Sequence, residues 1–370
     1  MRIGIDGRLW NETGVGRYIR SLYHYLPELD KENEYIWFLS KKEFETLEMP
    51  SPKWKKIETN VRWHTIAEQI QLPFIFSKEK LDLLHFPYFS FPIFYPGKFV
   101  VTIHDLIFDH YKTGKASTLS PWFYILKKIG YHVVLWTAAK RAKTILTLSK
   151  DAKREIVHHY HINPSKITVT YESGKLEDQR KDFSGKEFEK MRYLQPYILY
   201  VGNAHPHKNV ENLILAMQKI RQKRALKLVL VGSDAFFYPR LLEFIKKHKA
   251  GEFVVVIGEV PNTHIAAWYH FAQALVTASK MEGFGIPPLE AMSVGCPVIV
   301  SDIPVFHEVY EEAAVFFNPY DPDNIAEAVT KTLDNKVTLK SLVEKGYEQA
   351  EKYDWKKTVM ETLAVYKKSL

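Results

Sequence analysis

The sequence predicts an α/β fold of two doubly wound domains, each built on a parallel sheet. Three observations carry the prediction. Short apolar runs recur along the chain with helix-patterned segments between them, the pattern of parallel βα units. The 370 residues exceed what one core usually organises. The runs also form two sets, separated by a charged, strand-poor stretch at residues 171–196.

In chain order, the first set is "RIGI" (2–5), "YIWFL" (35–39), "DLLHF" (82–86), "FVVTI" (99–103), "TILTL" (144–148) and "ITVT" (167–170). The second is "YILYV" (197–201), "KLVLV" (227–231), "FVVVI" (253–257), "ALVTA" (274–278), "PVIV" (297–300) and "AVFF" (314–317). The domains are therefore expected at 1–172 and 173–353. The final segment, 354–370, reads as an amphipathic helix with Trp355, Val359, Leu363 and Tyr366 on one face and Asp354 as its N-cap. Two such domains leave a cleft between them, a common place for a ligand. Residues 120–143 read as a helix with an apolar stripe of Trp122, Ile125, Ile129, Val133 and Trp136 and a basic end. The stripe suits core packing first and an anionic membrane surface second.

Hydrophobic residues make up 46% and charged residues 25% of the chain, ordinary globular proportions. The single cysteine, Cys296, permits no internal disulfide and suits a reducing, cytoplasmic setting. The N-terminus runs directly into a strand pattern, without a signal-peptide pattern. No apolar run reaches the roughly 18 residues that would mark a membrane span. A net charge of +8 favours an anionic partner: nucleotide phosphates or an anionic membrane face. There is no zinc-ligand spacing or RNA-binding signature, so nucleic acid is not expected.

Four stretches can carry chemistry. In "KMEGFGIPPLEAMSVGCPVIVSD" (280–302), Glu282 and Glu290 bracket Gly283, Phe284, Gly285, Ile286 and two prolines. Proline suits the first turn of a helix, and Gly295 suits the position just past its end. The expected order is strand, glycine loop, short helix, strand. Glu282 then lies in the loop and Glu290 in the first helical turn. Ligands of parallel sheets bind at such strand ends, against helix N-termini. A carboxylate there can accept from a vicinal diol, such as a ribose; a capped turn with solvated acids would read the same way. In "GIDGRLWNETGVGRYI" (4–19), Gly14, Val15 and Gly16 open a helix whose N–H groups can meet an anion, or form a plain tight turn. Position 19 is Ile, so the three-glycine dinucleotide fingerprint is incomplete. In "VVTIHDLIFD" (100–109), His104 ends a strand and can hydrogen-bond a hydroxyl or rest on backbone. In "YVGNAHPHKN" (200–209), Lys208 stands at a strand–helix turn, where a diphosphate or only solvent could meet it.

Taken in order, these residues resemble the retaining glycosyltransferases of family 4, in their mannosyltransferase-like branch. "EGFGIPPLE" matches the E-x7-E motif of that family, followed by "AMSVGCPVIVSDIPVFHEV"; "GID…TGVGRYI", "HDL", "LTLSKDAKREI" and "VG….KN" match in sequence order. The resemblance covers nearly the whole chain. It implies the GT-B architecture: two Rossmann-like domains facing an interdomain cleft, acceptor on the first, sugar nucleotide on the second, with the last helix crossing back to the first.

The resemblance also implies roles. Glu290 holds the ribose hydroxyls. Glu282 and the backbone of Gly283, Phe284, Gly285 and Ile286 hold the donor sugar. Lys208 neutralises the departing diphosphate. Gly14, Val15 and Gly16 close on the phosphates, and His104 touches the sugar near its 6-hydroxyl. The family's accompanying arginine is absent: Asn203 and His207 stand in its two usual places, and His207 is the candidate second cation. The expected reaction moves a hexose from a nucleotide-diphosphate sugar, GDP-mannose ahead of UDP-sugars, to a glycan or lipid-linked acceptor. It uses no cofactor and no metal; "DPD" (321–323) reads as a turn and N-cap. The expected place is the cytoplasm, peripheral on the inner membrane face. The same scaffold also serves epimerases, phosphorylases and non-catalytic sugar-nucleotide-binding proteins.

Overall fold

The computed structural model describes residues 1–111, 121–176, 183 and 185–370, with the backbone alone at 121–124 and 187. The chain divides into two compact units. The first contains Met1–Leu106, the chain up to Glu172 and Trp355–Leu370. The second contains Ser173–Asp354 and the short segment starting at Ile107.

The first unit is built on a seven-stranded parallel sheet, order β3-β2-β1-β4-β5-β6-β7. Its strands are β1 (Arg2–Asp6), β2 (Glu34–Leu39), β3 (Trp54–Glu58), β4 (Leu83–Phe86), β5 (Phe99–Thr102), β6 (Ile145–Thr147) and β7 (Ile167–Val169). The apolar runs of the sequence all reappear here. The added strand is β3, "WKKIE", which pairs with β2 in register Tyr35↔Trp54 through Leu39↔Glu58. As an edge strand it needs only a half-buried pattern, so its two lysines are tolerated.

Successive strand side chains point to opposite faces, and β2 shows the consequence. Tyr35, Trp37 and Leu39 join Ile3, Ile5, Tyr18, Leu22 and Leu26 in one core. Ile36 and Phe38 join Leu72, Phe76, Leu135, Ala138 and Ile156 in the other. Helices therefore cover both faces, as a buried parallel sheet requires. The last helix, Trp355–Lys368, buries Val359, Leu363 and Tyr366 in the first of these cores. Tyr366 OH lies 2.6 Å from His85 Nδ1, and Thr362 Oγ1 lies 3.2 Å from Tyr18 OH.

Core packing of the apolar stripe at 120–143 is overturned. The helix Pro121–Arg141 forms, but Ile125, Ile129, Val133 and Trp136 are 45–54% exposed and Leu126 is 63% exposed. Trp122 lies outside the residues whose side chains are described. The opposite face fills the core, through Leu135, Ala138, Ala139 and Ala142. A helix apolar on two faces gives one periodic signal for both, so periodicity alone names the wrong face. Among the described residues no helix is long and apolar enough to cross a membrane.

The second unit carries a six-stranded parallel sheet, order β10-β9-β8-β11-β12-β13. The strands are β8 (Tyr197–Val201), β9 (Lys227–Val231), β10 (Val254–Gly258), β11 (Ala274–Thr277), β12 (Val298–Ser301) and β13 (Val315–Phe317). Leu228, Leu230, Val276 and Ile299 pack with Leu213, Met217, Leu241 and Val329 from helices Val210–Ile220, Phe237–Lys247 and Pro322–Asp334. Asp321 caps the last of these, accepting from Asp323 N at 2.9 Å, so "DPD" is a turn and N-cap. Of the linker stretch 171–196, residues 177–182 and 184 lie outside the described residues, and Glu189–Leu194 is helical.

Candidate active site

In the second sheet the strand order reverses between β8 and β11, which are adjacent and parallel with Ala274↔Ile198 and Leu275↔Leu199 in register. The loops leaving their carboxyl ends therefore emerge side by side, at the switch point where open α/β sheets take ligands. The β8 loop passes through a short turn, Pro206–Lys208, into the helix Val210–Ile220. Asn209 joins them at φ 57, a left-handed conformation that asparagine tolerates. Its buried amide donates to Ala278 O at 3.0 Å and Pro319 O at 2.7 Å, tying the turn to the chain just past β11 and β13. Lys280 N donates to His207 O at 2.7 Å, a second tie.

These ties bring Lys208 and Glu282 together. Lys208 Nζ lies 2.7 Å from Glu282 Oε1 and 2.9 Å from Oε2, with side chains 20% and 10% exposed. Ser279 Oγ donates to the same Oε1 at 2.6 Å. Burial pushes the Glu282 carboxyl up, but Lys208, His207 and the Ser279 bond outweigh it and hold the group below the ordinary range. The lysine expected to meet a diphosphate is thus paired with the neighbouring carboxylate.

The helix after the glycine loop is Ile286–Ser293, with prolines in its first turn and Gly295 at φ +76 beyond its end. Glu290 is its fifth residue, so it lies in the second turn rather than the expected first; the helix begins at Ile286 because Gly285 still holds φ +97. An added Cβ at Gly285 would stand 2.2 Å from Tyr310 OH, which donates to Gly285 O at 2.6 Å. Only glycine fits this turn. Glu290 is buried and accepts from Tyr269 OH at 2.7 Å. Gly283 and Phe284 are buried, with Phe284 edge-on to Tyr353 at 5.5 Å.

His207 is half-buried beside Lys208. Burial, Lys208 and His205 push its imidazole down to about 4, against a pull upward from Glu282. It is therefore neutral at pH 7. Asn203 accepts from Tyr200 OH through its carbonyl at 2.6 Å, and its Oδ1 accepts from His205 N at 3.3 Å.

The other sequence-derived residues belong to the first unit. Gly14, Val15 and Gly16 open the helix Gly14–Leu29 after β1. A Cβ on Gly16 would stand 2.4 Å from Trp10 O, so this glycine serves close packing of the turn. His104 follows β5, is 7% exposed, and places Nε2 2.9 Å from Pro87 O. The structure thus groups Lys208, His207, Asn203, Glu282, Gly283–Ile286 and Glu290 around one sheet end, and Gly14–Gly16 and His104 in the other unit.

Sequence reasoning missed Ser279 and Tyr269. Ser279 is buried and ends the β11 run directly before the glutamate loop, so its place could have suggested a partner for Glu282. Tyr269 reaches Glu290 from the helix Asn262–Phe271, and no spacing announces that. Chemically, the second-unit site offers a buried acceptor for hydroxyls at Glu290 and a carboxylate–ammonium pair that an anion can separate.

Two family models match the chain: the model described as Glycosyltransferase Family 4 over residues 13–172, and that described as Glycosyl transferases group 1 over 184–349. The chain is similar to the O-antigen chain mannosyltransferase RfbU of Salmonella typhimurium (strain LT2), 34% identical over 236 residues, 63% of this chain and 64% of that protein. It is similar to the O-antigen chain mannosyltransferase B of Escherichia coli, 28% identical over 61% of each. The matched stretches thus span somewhat less than two thirds of those relatives. In fold it is similar to the sucrose-phosphate synthase of Thermosynechococcus elongatus, at TM-score 0.76 and 18% identity, covering 100% of this chain and 98% of that one. With two parallel sheets each flanked by helices, the chain has a GT-B-type architecture of two Rossmann-like units, and its two halves each match a glycosyltransferase family model.

Proposed function

We propose that the chain transfers a hexose from a nucleoside-diphosphate sugar to a glycan or lipid-linked acceptor, with retention of configuration and no metal. Mannose from GDP-mannose is the first candidate donor, since two relatives are named as O-antigen chain mannosyltransferases; UDP-sugars come next. The observation that carries the reading is the cluster of Glu282, Glu290 and Lys208 at the switch point of the second sheet. In this reading the second unit holds the donor and the first meets the acceptor.

The difficult step is departure of the diphosphate from the anomeric carbon. Negative charge grows on the leaving oxygens while the sugar becomes cationic. Lys208 stabilises that charge. To do so it exchanges Glu282 for the phosphate, leaving the Glu282 carboxylate free to accept from a sugar hydroxyl. Glu290 accepts from the ribose diol in place of, or together with, Tyr269. His104 contacts the sugar through its ring. The acceptor hydroxyl attacks from the face the diphosphate leaves and gives its proton to a leaving phosphate oxygen. Glu282 is not a nucleophile here.

Peripheral docking on the inner, anionic membrane face belongs to the same proposal. The exposed stripe of Ile125, Leu126, Ile129, Val133 and Trp136 supports it, flanked along the helix by Lys127, Lys128, Lys140 and Arg141. An anionic headgroup layer complements those cations and an acyl boundary covers the apolar side chains. A panel of sugar nucleotides, assayed for hydrolysis and for transfer to lipid-linked sugars, tests the reading. Turnover of none of them, despite nucleotide binding, would reassign the chain as a sugar-nucleotide-binding protein.

A further inference from the structure

Glu172 follows β7, at the end of the first unit, and is 2% exposed. Its Oε1 is buried and has no hydrogen-bond partner among the described residues. That atom lies 3.8 Å from His104 Nδ1. On the other side of the ring, Nε2 meets Pro87 O at 2.9 Å. A carbonyl only accepts, so Nε2 carries a proton. In a neutral ring Nδ1 is then a lone pair, and an ionised Glu172 would aim a second lone pair at it. Two acceptors facing each other out of water are costly, and one proton between them removes the conflict.

We propose that Glu172 is a positioning residue for His104: its buried carboxyl carries the one proton that the pair shares and donates it toward Nδ1. The inference rests on the reading that His104 serves the sugar of a nucleotide donor. A carboxyl movement of about 1 Å brings the two atoms within hydrogen-bond range. The groups around the pair decide where the proton resides. Arg17 favours the carboxylate and Asp105 opposes it. Tyr18, Tyr88 and the buried His85 also face this group: Tyr18 and Tyr88 through ring contacts with His104 at 5.9 and 6.2 Å, and His85 as a neighbouring imidazole that burial and His104 hold uncharged. Burial dominates, raising Glu172 to about 8 and lowering His104 to about 4. The proton therefore sits on the glutamic acid, and the pair is uncharged at pH 7. Uncharged, it does not repel an anionic donor. As pH rises through about 8 the proton leaves, a net negative charge appears in the buried pair, and donor turnover falls.

The sign for folding is equally definite. A carboxyl raised in the folded chain binds a proton that the unfolded chain has lost, so stability declines as pH rises from the unfolded carboxyl value, about 4.3, toward 8. The Glu172→Gln amide keeps the shape and donates an N–H as the acid donates its O–H. In the full chain, ¹³C-carboxyl NMR should show one glutamate titrating near 8, absent from Glu172→Gln. Glu172→Gln should keep wild-type kcat/KM at pH 7, lose the alkaline fall, and show a flatter stability profile over the same range. Glu172→Ala should lose roughly tenfold in kcat, about one hydrogen bond. No glutamate titrating above the ordinary range, or an unchanged alkaline limb in Glu172→Gln, would overturn the proposal. So would a Glu172→Gln as impaired as Glu172→Ala at every pH, which would make the carboxylate the working form. If the chain transfers no sugar at all, the proposed function fails, and the NMR titration alone still decides the state of Glu172.

Discussion

Replacing Lys208 by Met removes the ammonium from a pair held by two contacts, 2.7 and 2.9 Å, and leaves the Glu282 carboxylate with the Ser279 hydroxyl. A fully buried ion pair broken on one side costs about 3–5 kcal/mol. Here the side chains keep 20% and 10% exposure, so water recovers part of the loss. A charge-assisted hydrogen bond is worth about 1.5–3 kcal/mol. The expected destabilisation is therefore about 2–3 kcal/mol, or about 4–12 °C at about 2–4 °C per kcal/mol for a unit of this size. Glu282→Gln should cost less, because the amide oxygen still accepts from Lys208. The double variant should be less destabilised than the sum, with coupling of at least about 1 kcal/mol. Nucleotide binding separates the two singles. A nucleoside diphosphate has to draw Lys208 away from Glu282, so Glu282→Gln should bind GDP or UDP at least as tightly as the wild type. Lys208→Met should bind about 10- to 100-fold more weakly. Thermal unfolding of the four proteins and calorimetry with both nucleotides give all the terms. Additive costs below about 0.5 kcal/mol would refute the energetic argument. Equal weakening of nucleotide binding in the two singles would place Glu282 in the nucleotide site itself.

Glu290→Ala should weaken nucleoside diphosphate binding by about 1.5–3 kcal/mol, while Glu282→Ala lowers turnover with that affinity intact; isothermal calorimetry and a transfer assay separate them. His207 starts neutral, at about 4, and a bound diphosphate favours its charged form, so donor affinity should be highest at low pH. It should fall as pH rises from about 4 through the bound-state value, and His207→Arg should flatten the curve. A flat wild-type curve, measured with an intact sugar nucleotide, would make the histidine a bystander. Transfer should survive chelation of divalent metals; loss on chelation with restoration by magnesium or manganese would replace the phosphate-binding scheme. Gly285→Ala should destabilise the second unit by more than about 1 kcal/mol, from the φ of +97 and the clash with Tyr310 OH. Full stability of that variant in thermal unfolding would show that the loop relaxes freely.

The strands of both sheets were legible because a strand buried on both faces must be apolar throughout. Strand β3 escaped because an edge position relaxes that demand at Lys55 and Lys56. The glutamate loop was legible for a different reason: its glycines and prolines fix backbone geometry locally, and Gly285 and Gly295 both take positive φ. What could not be read is what tertiary contact decides. The pairing of Lys208 with Glu282 joins residues 74 positions apart, and that of Tyr269 with Glu290 crosses from another helix. The neutral state of His207 follows from burial beside a lysine, which sequence adjacency to Lys208 suggests in sign but not in size. The helix Pro121–Arg141 shows the remaining limit, since its apolar residues outnumber the places the core provides for them.

The last helix has a consequence for how the protein comes into being. Tyr366 meets His85 across 281 positions of chain, and Thr362 meets Tyr18 across 344. Both contacts are buried in the first unit, so that unit is assembled from stretches far apart in the chain. On the ribosome its sheet can pair early, but the face it shares with the helix Gly14–Leu29 stays only partly covered until the last helix has been released. The second unit, drawn mostly from the continuous Ser173–Asp354, suffers no such wait. The half translated first is thus the half completed last, and in the interval Val100, Leu146 and their neighbours are apolar surface awaiting a cover. A chain stalled before the last helix would present that face to chaperones.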